Sequence, residues 1–474
     1  MSLAAAGDEL RALVEEAAQQ HHCPTVSWAV VHDHEVMLAG SHGVLHSGRA
    51  PTPDTVYRIA SMTKSFTAAT VLALRDEQRL SLDDHIADLA PELANVVGPT
   101  RDAAAITVRH LLSMASGLST DDAWADRHLD ITSADLLHRL RAGTLFAQPT
   151  GTAFEYSNLG YAILGHLVRT VTGTSVQSHV SDRFLGPLGM DHTTWSCPPH
   201  DDWAGPHLVV DDDAHPDPLA PLGDGELAAM GGLWSTAADL CRWMSWLDEA
   251  SPAGDEPDDG PLRRSSRREM QQVQRYDGMK VLAGRAAPTG YGFGLMIRDD
   301  DLLGHVAGHS GGLPGYGSNM RWICGGRVGV VALANVTYAP MSTLTLRILE
   351  VLQRHGALPT PPAPRGATTA AIDLAGRRLA ALLADWHDDV AGAVFADNVD
   401  LDEPYQRRAA AAREVCDRLG PFEIESVTAS SSAAGEVVLV GRDRLRARVP
   451  FHLTPLMPPL VQWYEVEIIE PVGE

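Results

Sequence analysis

The chain has 474 residues, a length that favours two domains and allows a large buried core. Its net charge of −24 at pH 7 argues against nucleic acid and anionic membrane surfaces as partners. The N-terminal stretch carries Asp8 and Glu9 and has no long apolar run, so we expect no signal peptide and no transmembrane span. The five cysteines have neither metal-ligand nor disulfide spacing, so we expect a cytoplasmic protein without a metal or cofactor.

Helical and strand patterns alternate in the first half of the chain. Apolar spacing predicts helices over residues 8–20, 82–89, 107–112, 159–171 and 237–247, and β-rich runs at 25–31 and 35–39 predict a hairpin. A further helical run follows Ser61. Residues 201–226 are rich in Asp and Pro and lack periodicity, which indicates a long surface loop that walls a pocket.

Short strands dominate after residue 290. Runs at 291–297, 302–308, 318–323 and 328–335 predict an antiparallel meander, closed by a helix over 344–354. The glycine-rich stretch 308–317 indicates tight turns, close backbone approach to a ligand, or both.

A proline-rich segment, residues 357–366, predicts a stiff linker between a domain at 1–356 and one at 367–474. The second domain reads as a small α+β unit of unassigned role. In this domain the sequence predicts helices over 371–386 and 403–419, and strands over 422–428, 436–441, 445–452 and 461–469.

Ser61 and Lys64 are the first candidate catalytic pair. They begin a helical run three residues apart, so their side chains share one helix face. A serine hydroxyl becomes a good nucleophile when a base removes its proton, and a lysine can do so only when it is neutral. Burial and the positive end of a helix both disfavour the ammonium. Free backbone N–H groups in the first helical turn can also hold an oxyanion.

The rarity of lysine sharpens this interpretation. Lys64 and Lys280 are the only lysines, and the other 35 of the 37 basic side chains are arginine. Arginine cannot act as a base in a protein, so a lysine one turn after a serine indicates amine chemistry. A chance Ser-x-x-Lys on an exposed helix is the alternative.

Two further stretches carry candidate residues. Tyr156 and Asn158 lie where a loop enters a predicted helix, a place that presents side chains to a pocket. Taken alone, packing is the better explanation of Tyr156 and helix capping the better explanation of Asn158. His309, Ser310 and Gly311 lie in the glycine-rich stretch.

These three motifs, in this order, resemble those of the serine β-lactamase and penicillin-binding-protein superfamily, in particular its class C-like branch of D-aminopeptidases and esterases. The resemblance covers roughly residues 8–355 and extends to the flanking stretches 107–118, 151–165 and 231–240. It implies an α+β fold in which a β-lactamase-like antiparallel sheet is flanked by helices and accompanied by an all-helical region, with the small α+β domain after it.

The resemblance also implies roles. Ser61 would be the acylated nucleophile and Lys64 its base or proton relay, while Tyr156 would share proton transfer as a phenolate or as a hydrogen-bond partner of Lys64. Substrate binding would fall to four residues, Asn158, His309, Ser310 and Gly311. The backbone N–H groups of Ser61 and Gly312 would form the oxyanion hole.

One position departs from the family. The third motif of true β-lactamases begins with a lysine that binds the substrate carboxylate, whereas this chain has His309, whose charge fades near neutral pH. This departure disfavours strong β-lactamase activity and favours an amide or ester substrate, either a small molecule or a short peptide.

Three functions remain open at this point. The first is a serine hydrolase of amides or esters acting through a Ser61 acyl-enzyme. The second passes the acyl group to an amine, as the thioesterase-cyclases of this superfamily do. The third is a binding or scaffold protein that keeps the fold without turnover. The sequence leaves the substrate and the oligomeric state unspecified.

Overall fold

The computed structural model describes residues 3–198, 203–220, 223–251, 254, 257–358 and 368–469. By spatial contacts the chain divides into a first unit, Met1–Pro362, and a second unit, Ala363–Glu474. Most of the predicted linker, residues 359–366, lies outside the described residues. The functional division into a catalytic domain and a further domain stays a prediction.

The element bounds follow the chain in order. The helices are α1 (Leu3–Gln20), α2 (Thr63–Asp76), α3 (Ile86–Leu89), α4 (Val108–Leu112), α5 (Asp122–Ala125), α6 (Ser133–Arg141), α7 (Asn158–Thr172), α8 (Val176–Val180), α9 (Ala228–Gly231), α10 (Ala237–Asp248), α11 (Arg264–Met270), α12 (Met341–Arg354), α13 (Thr368–Ala384), α14 (Asp388–Val394), α15 (Asp397–Asp402) and α16 (Tyr405–Leu419). The strands are β1 (Thr25–His32), β2 (Glu35–Gly43), β3 (Tyr57–Arg58), β4 (His207–Val210), β5 (Asp213–Pro216), β6 (Trp234–Ser235), β7 (Arg275–Leu282), β8 (Arg285–Tyr291), β9 (Met296–Asp300), β10 (Gly304–Leu313), β11 (Tyr316–Ile323), β12 (Val328–Ala334), β13 (Glu423–Ala429), β14 (Ala434–Val440), β15 (Arg446–Leu453), β16 (Val461–Tyr464) and β17 (Glu467–Ile469). Short 3₁₀ helices occur at Ala60–Met62, Pro91–Leu93 and Arg442–Arg444, and a π-helical turn at Ser181–Leu185.

An antiparallel sheet with the order β2-β1-β12-β11-β10-β9-β8-β7 organises the first unit. Apolar side chains of α1 and α12 cover one face, and the larger core on the other face joins the sheet to α2, α7 and α10. Burial on both faces explains why β1 and β12 are apolar nearly throughout. The predicted fold class is therefore confirmed.

The predicted meander is present, but its strand bounds shift. The predicted strand over 291–297 is wrong, because the chain turns between β8 and β9, where the Gly292 amide donates to the Leu295 carbonyl and Gly294 adopts φ of +72°. The predicted strand over 302–308 extends as β10 to Leu313, so the third motif lies inside a strand. Strand β7 was not predicted from the sequence, because its polar, glycine-containing pattern is weak.

Two predictions in the first half also change. The segment predicted as an aperiodic loop over 201–226 contains the hairpin β4–β5, although residues 201–202 and 221–222 lie outside the described residues. Of the helix predicted over 82–89, only the last four residues are helical, as α3 (Ile86–Leu89). Within the described residues, no helix combines the length and apolarity that crossing a bilayer requires.

The second unit has its own core. Strands β13, β14, β15 and β16 form an antiparallel sheet, β17 also pairs with β15, and apolar side chains of α13 and α16 pack on it. The predicted helices and strands correspond to α13, α16 and these strands, and the predicted strand over 461–469 is divided into β16 and β17.

Strand β10 packs directly on the turn that carries Ser61. A Cβ atom at Gly311 would overlap the Ile59 carbonyl oxygen and the Ser318 hydroxyl oxygen and would lie 3.0 Å from the Ala60 Cβ. The Ser318 hydroxyl donates to the same Ile59 carbonyl over 2.9 Å. The absence of a side chain at Gly311 therefore sets how closely the strand approaches the nucleophile turn.

We expect Gly311→Ala to lower the free energy of unfolding by about 1–3 kcal/mol, the usual effect of overpacking a close contact. Gly205→Ala is the matched control, since a Cβ there meets nothing within 4 Å. Urea unfolding followed by tryptophan fluorescence measures both variants. Equal stability of the two variants would contradict the close packing of β10 on the Ser61 turn.

Candidate active site

Ser61 sits at the junction between a short 3₁₀ helix and α2. The preceding residue, Ala60, has φ of +51°, a left-handed conformation that turns the chain sharply before the nucleophile. The ring of Phe66 stacks on Trp243 with centroids 3.9 Å apart, and the Trp243 indole donates to the Ser65 hydroxyl over 3.0 Å. Ser61 is 9% exposed at the surface of this packed turn.

The Lys64 amine is fully buried and contacts three polar atoms. Its Nζ lies 2.9 Å from Ser61 Oγ, 2.7 Å from Asn158 Oδ1 and 2.8 Å from the Met230 carbonyl oxygen. Asn158 and Met230 face Lys64 with carbonyl oxygens, which only accept hydrogen bonds, whereas the Ser61 hydroxyl can also donate one. A neutral amine has two N–H groups for the two carbonyl oxygens and one lone pair for the serine proton. An ammonium would donate to all three oxygens, and a neutral amine would donate to the two carbonyl oxygens and direct its lone pair at Ser61.

Burial lowers the pKa of Lys64 to about 7, because the ammonium loses its hydration. The negative charges of Asp122, Asp126 and Asp121 act in the opposite direction and favour the ammonium. Desolvation is the larger effect, so a substantial fraction of the amine is neutral at physiological pH.

Asn158 is held in the orientation that Lys64 requires. Its Nδ2 donates to Asp122 Oδ1 over 2.7 Å, which directs its Oδ1 toward Lys64. Asp121 accepts from the backbone N–H groups of Asn158 and Leu159, both over 2.8 Å. These contacts fix the start of α7, where Ser157 is the N-cap, so the capping role that the sequence suggested for Asn158 belongs to its neighbour.

Tyr156 is partly buried and hydrogen-bonded to Ser61, and its ring centroid lies 5.0 Å from Lys64 Nζ. Burial raises the pKa of Tyr156 well above its ordinary value, and the hydrogen bond between Tyr156 and Ser61 offsets this only in part. The phenol is therefore protonated at neutral pH. Burial thus disfavours a resting phenolate, and the role of Tyr156 in proton transfer, including a hydrogen bond to Lys64, stays a prediction.

His309 lies beside Tyr156, with ring centroids 6.3 Å apart, and is 1% exposed. Its Nδ1 donates to the Ser310 carbonyl over 2.6 Å, and its Nε2 then accepts from the Tyr291 hydroxyl over 3.0 Å. Burial and the nearby Lys64 charge lower its pKa to about 3. The expectation of a charge fading near neutral pH is wrong, because this imidazole is neutral throughout the physiological range. A substrate contact by His309 stays a prediction.

Strand β10 presents an open edge beyond His309. Its pairing with β9 ends at Gly308, and in the described part of the chain no strand pairs with the same edge at residues 309–313. Ser310 is held on β10 by Asn319, whose Nδ2 donates to the serine hydroxyl over 3.0 Å. This part of β10 lies beside the turn that carries Ser61. Substrate binding by Ser310 and Gly311 and an oxyanion hole of Ser61 and Gly312 stay predictions.

The structure brings Ser61, Tyr156 and Asn158 together around Lys64, with β10 beside Ser61. The sequence reasoning did not single out four residues that contact or charge this site, Asp121, Asp122, Asp126 and Tyr291. Two adjacent aspartates, Asp121 and Asp122, are a sequence signal only for helix capping, and they lie at the start of α5. Within the described residues, no group of three or more His, Cys, Asp and Glu side chains is placed to hold a metal ion.

Comparisons with known proteins agree with this geometry. The Beta-lactamase family profile matches residues 10–353. The chain is 31% identical over 328 residues to penicillin-binding protein 4 of Amycolatopsis lactamdurans, covering 67% of this chain and 82% of that protein. It is 27% identical over 345 residues to protein flp of Staphylococcus aureus (strain NCTC 8325 / PS 47), and it spans 64% of the length of that relative.

Two solved structures share the fold. The octameric penicillin-binding protein homologue from Pyrococcus abyssi aligns with a TM-score of 0.63 at 20% identity, and the alignment covers 98% of this chain and 96% of the homologue's chain. The D-stereospecific amidohydrolase from Streptomyces sp. aligns with a TM-score of 0.55 at 23% identity, and the alignment covers 70% of this chain and 97% of the amidohydrolase chain. The resemblance inferred from the three motifs is confirmed, and the chain belongs to the β-lactamase family.

Proposed function

We propose that the protein is a serine hydrolase that cleaves an amide or ester bond through an acyl-enzyme on Ser61. The contact set of Lys64 carries this proposal, because a buried amine with two carbonyl acceptors has its lone pair left for the hydroxyl of Ser61. Family membership supports it. Scaffold function without turnover is disfavoured, since a binding protein has no need of a buried amine whose pKa is near 7.

The proposed reaction starts with transfer of the Ser61 proton to Lys64 as Oγ attacks the substrate carbonyl. The backbone N–H groups of Ser61 and Gly312 stabilise the oxyanion. Tyr156 keeps its proton at neutral pH and lies against Ser61, so it donates that proton to the departing group and takes in exchange the proton that Lys64 received from Ser61. Water then attacks the acyl carbon and gives a proton to the neutral Lys64 amine, which passes it to Ser61 Oγ as the bond between Oγ and the acyl carbon breaks.

Intact-mass spectrometry tests the proposal directly. Incubation with p-nitrophenyl acetate, D-alanine amides and penicillins should add one acyl group, located on Ser61 by peptide mapping, for at least one substrate class. Added amines separate hydrolysis from acyl transfer, because a transferase yields the amide product. A well-folded protein that takes no label from these substrates or from a fluorophosphonate would contradict the proposal.

Lys64→Arg should abolish acylation while the fold is retained, because a guanidinium cannot release its proton at neutral pH. The fluorophosphonate labelling rate and the thermal unfolding temperature measure the two effects. Lys280→Arg is the matched control, since Lys280 is exposed and pairs with Asp277 over 3.3 Å. Near-normal labelling of Lys64→Arg would remove the base from the mechanism.

The pH profile should follow the Lys64 amine. The reactive form is the neutral amine, and burial lowers the pKa of Lys64 to about 7. As the pH increases toward 7, kcat/KM should therefore increase by about tenfold per pH unit, and above pH 7 it should level off. Asp122→Asn should move the midpoint to lower pH, since the Asp122 charge favours the ammonium. Asp33→Asn, at an exposed ion pair with Arg327, is the control. An unmoved midpoint in Asp122→Asn would show that another group governs the profile.

Tyr156→Phe should slow acylation by about a hundredfold or more, the usual size of a general acid–base contribution. The ring stays beside His309, so packing is retained and only the hydroxyl is lost. Tyr276→Phe, an exposed tyrosine on β7, is the control. Single-turnover acylation rates of the two variants give the comparison, and equal rates would deprive Tyr156 of its role.

A further inference from the structure

Tyr338 occupies an unusual place between β12 and α12. Its backbone has φ of +54°, a left-handed conformation that a large side chain adopts only when its surroundings hold it there. Its N–H donates to the Tyr316 carbonyl over 3.1 Å, and the N–H of the preceding Thr337 donates to the His207 carbonyl over 2.9 Å. The segment is thus anchored on both sides, while the Tyr338 side chain remains 51% exposed.

The ring of Tyr338 packs against β10 at Gly312. A Cβ atom added at Gly312 would lie 2.5 Å from Tyr338 Cδ1 and 3.2 Å from Cε1. The aromatic ring therefore occupies the space that a side chain at Gly312 would take. Gly312 is also the residue to which the proposed mechanism assigns an oxyanion donor.

The hydroxyl of Tyr338 reaches the opposite wall of the site. It donates over 2.7 Å to Oδ2 of Asp126, which is 3% exposed and follows α5 in the helical region. Burial raises the pKa of Asp126 to about 7, whereas the hydrogen bond from Tyr338 and the charge of Lys64 lower it. A buried carboxyl group needs a partner, and Tyr338 supplies one. One side chain thus connects the sheet wall to the helical wall.

The two ends of the cleft differ in chemistry. His309 at one end of the open edge packs beside Tyr156, and Gly312 at the other end packs beneath Tyr338. Because Tyr156 is the proposed proton donor, the leaving group departs at the His309 end. The acyl portion of the substrate then lies at the Gly312 end, against the ring of Tyr338.

We infer that Tyr338, fixed by Asp126, limits the size of the acyl group that the site accepts, so that short acyl groups are preferred over long or bulky ones. This inference rests on the proposed function, since it assumes an acyl-enzyme on Ser61. It assigns Tyr338 to substrate selection rather than to the chemical step.

Two series of esters test the inference. One varies the acyl group as p-nitrophenyl acetate, butyrate and octanoate, and the other keeps the acetyl group and varies the leaving phenol. In Tyr338→Ala the octanoate-to-acetate ratio of kcat/KM should rise by about tenfold or more, in the range that a changed apolar pocket produces. The leaving-group series should keep its order. Tyr276→Ala, which removes an exposed tyrosine on β7, should leave both series unchanged.

Tyr338→Phe guards against a misfolded alanine variant, because it keeps the ring and removes only the hydrogen bond to Asp126. It should move the acyl ratio in the same direction by about threefold, as the freed ring swings aside. The inference would be overturned if the octanoate-to-acetate ratio of kcat/KM were unchanged in both folded variants, or if the acyl series and the leaving-group series shifted equally. Continued turnover of the acetate ester would then still support the proposed function. No acylation of the unsubstituted protein by any ester would overturn both.

Discussion

The buried amine of Lys64 is the constraint on which the rest of the first unit depends. Removing an amine from water is costly unless its polar atoms find partners, and here they come from separate parts of the chain. Ser61 lies one turn away, Asn158 begins α7, and the Met230 carbonyl belongs to α9. Each partner fixes one element relative to α2. The geometry that makes Lys64 a base therefore also joins the helical region around it.

Opposing electrostatic effects then set the working range of the amine. Burial lowers the pKa of Lys64, whereas the carboxylates of Asp122, Asp126 and Asp121 raise it and so restore part of the ammonium. Their balance leaves the pKa of Lys64 near 7, where an amine can both take and return a proton. Asp122 has a second task, because it orients the Asn158 amide toward Lys64. The charge that tunes the base and the contact that positions its partner thus come from one residue.

The pairing of Ser61 with Lys64 was predictable because it is local, three residues apart on one helix face. The strands of the meander were predictable from their apolar runs. The break at Gly292–Gly294 was not, because it depends on how β8 and β9 turn against α2. A Cβ atom at Gly294 would lie 2.6 Å from the Lys64 carbonyl oxygen. The neutral state of His309 and the protonated state of Tyr156 follow from burial by distant segments, which no local pattern reports. The contact of Tyr338 with Asp126 spans 212 positions and is likewise tertiary.

The ionisation of Lys64 can be measured without interference, because the chain has only one other lysine. Protein labelled with ¹³C and ¹⁵N in lysine should give two Cε–Nζ signals, and Lys64→Arg assigns them. We predict that the Lys64 signal titrates near pH 7, as expected for the buried amine. A Lys64 signal that titrates only near the ordinary lysine value of about 10.4 would contradict the account, because the amine would then be an ammonium throughout the working range and could not accept the Ser61 proton.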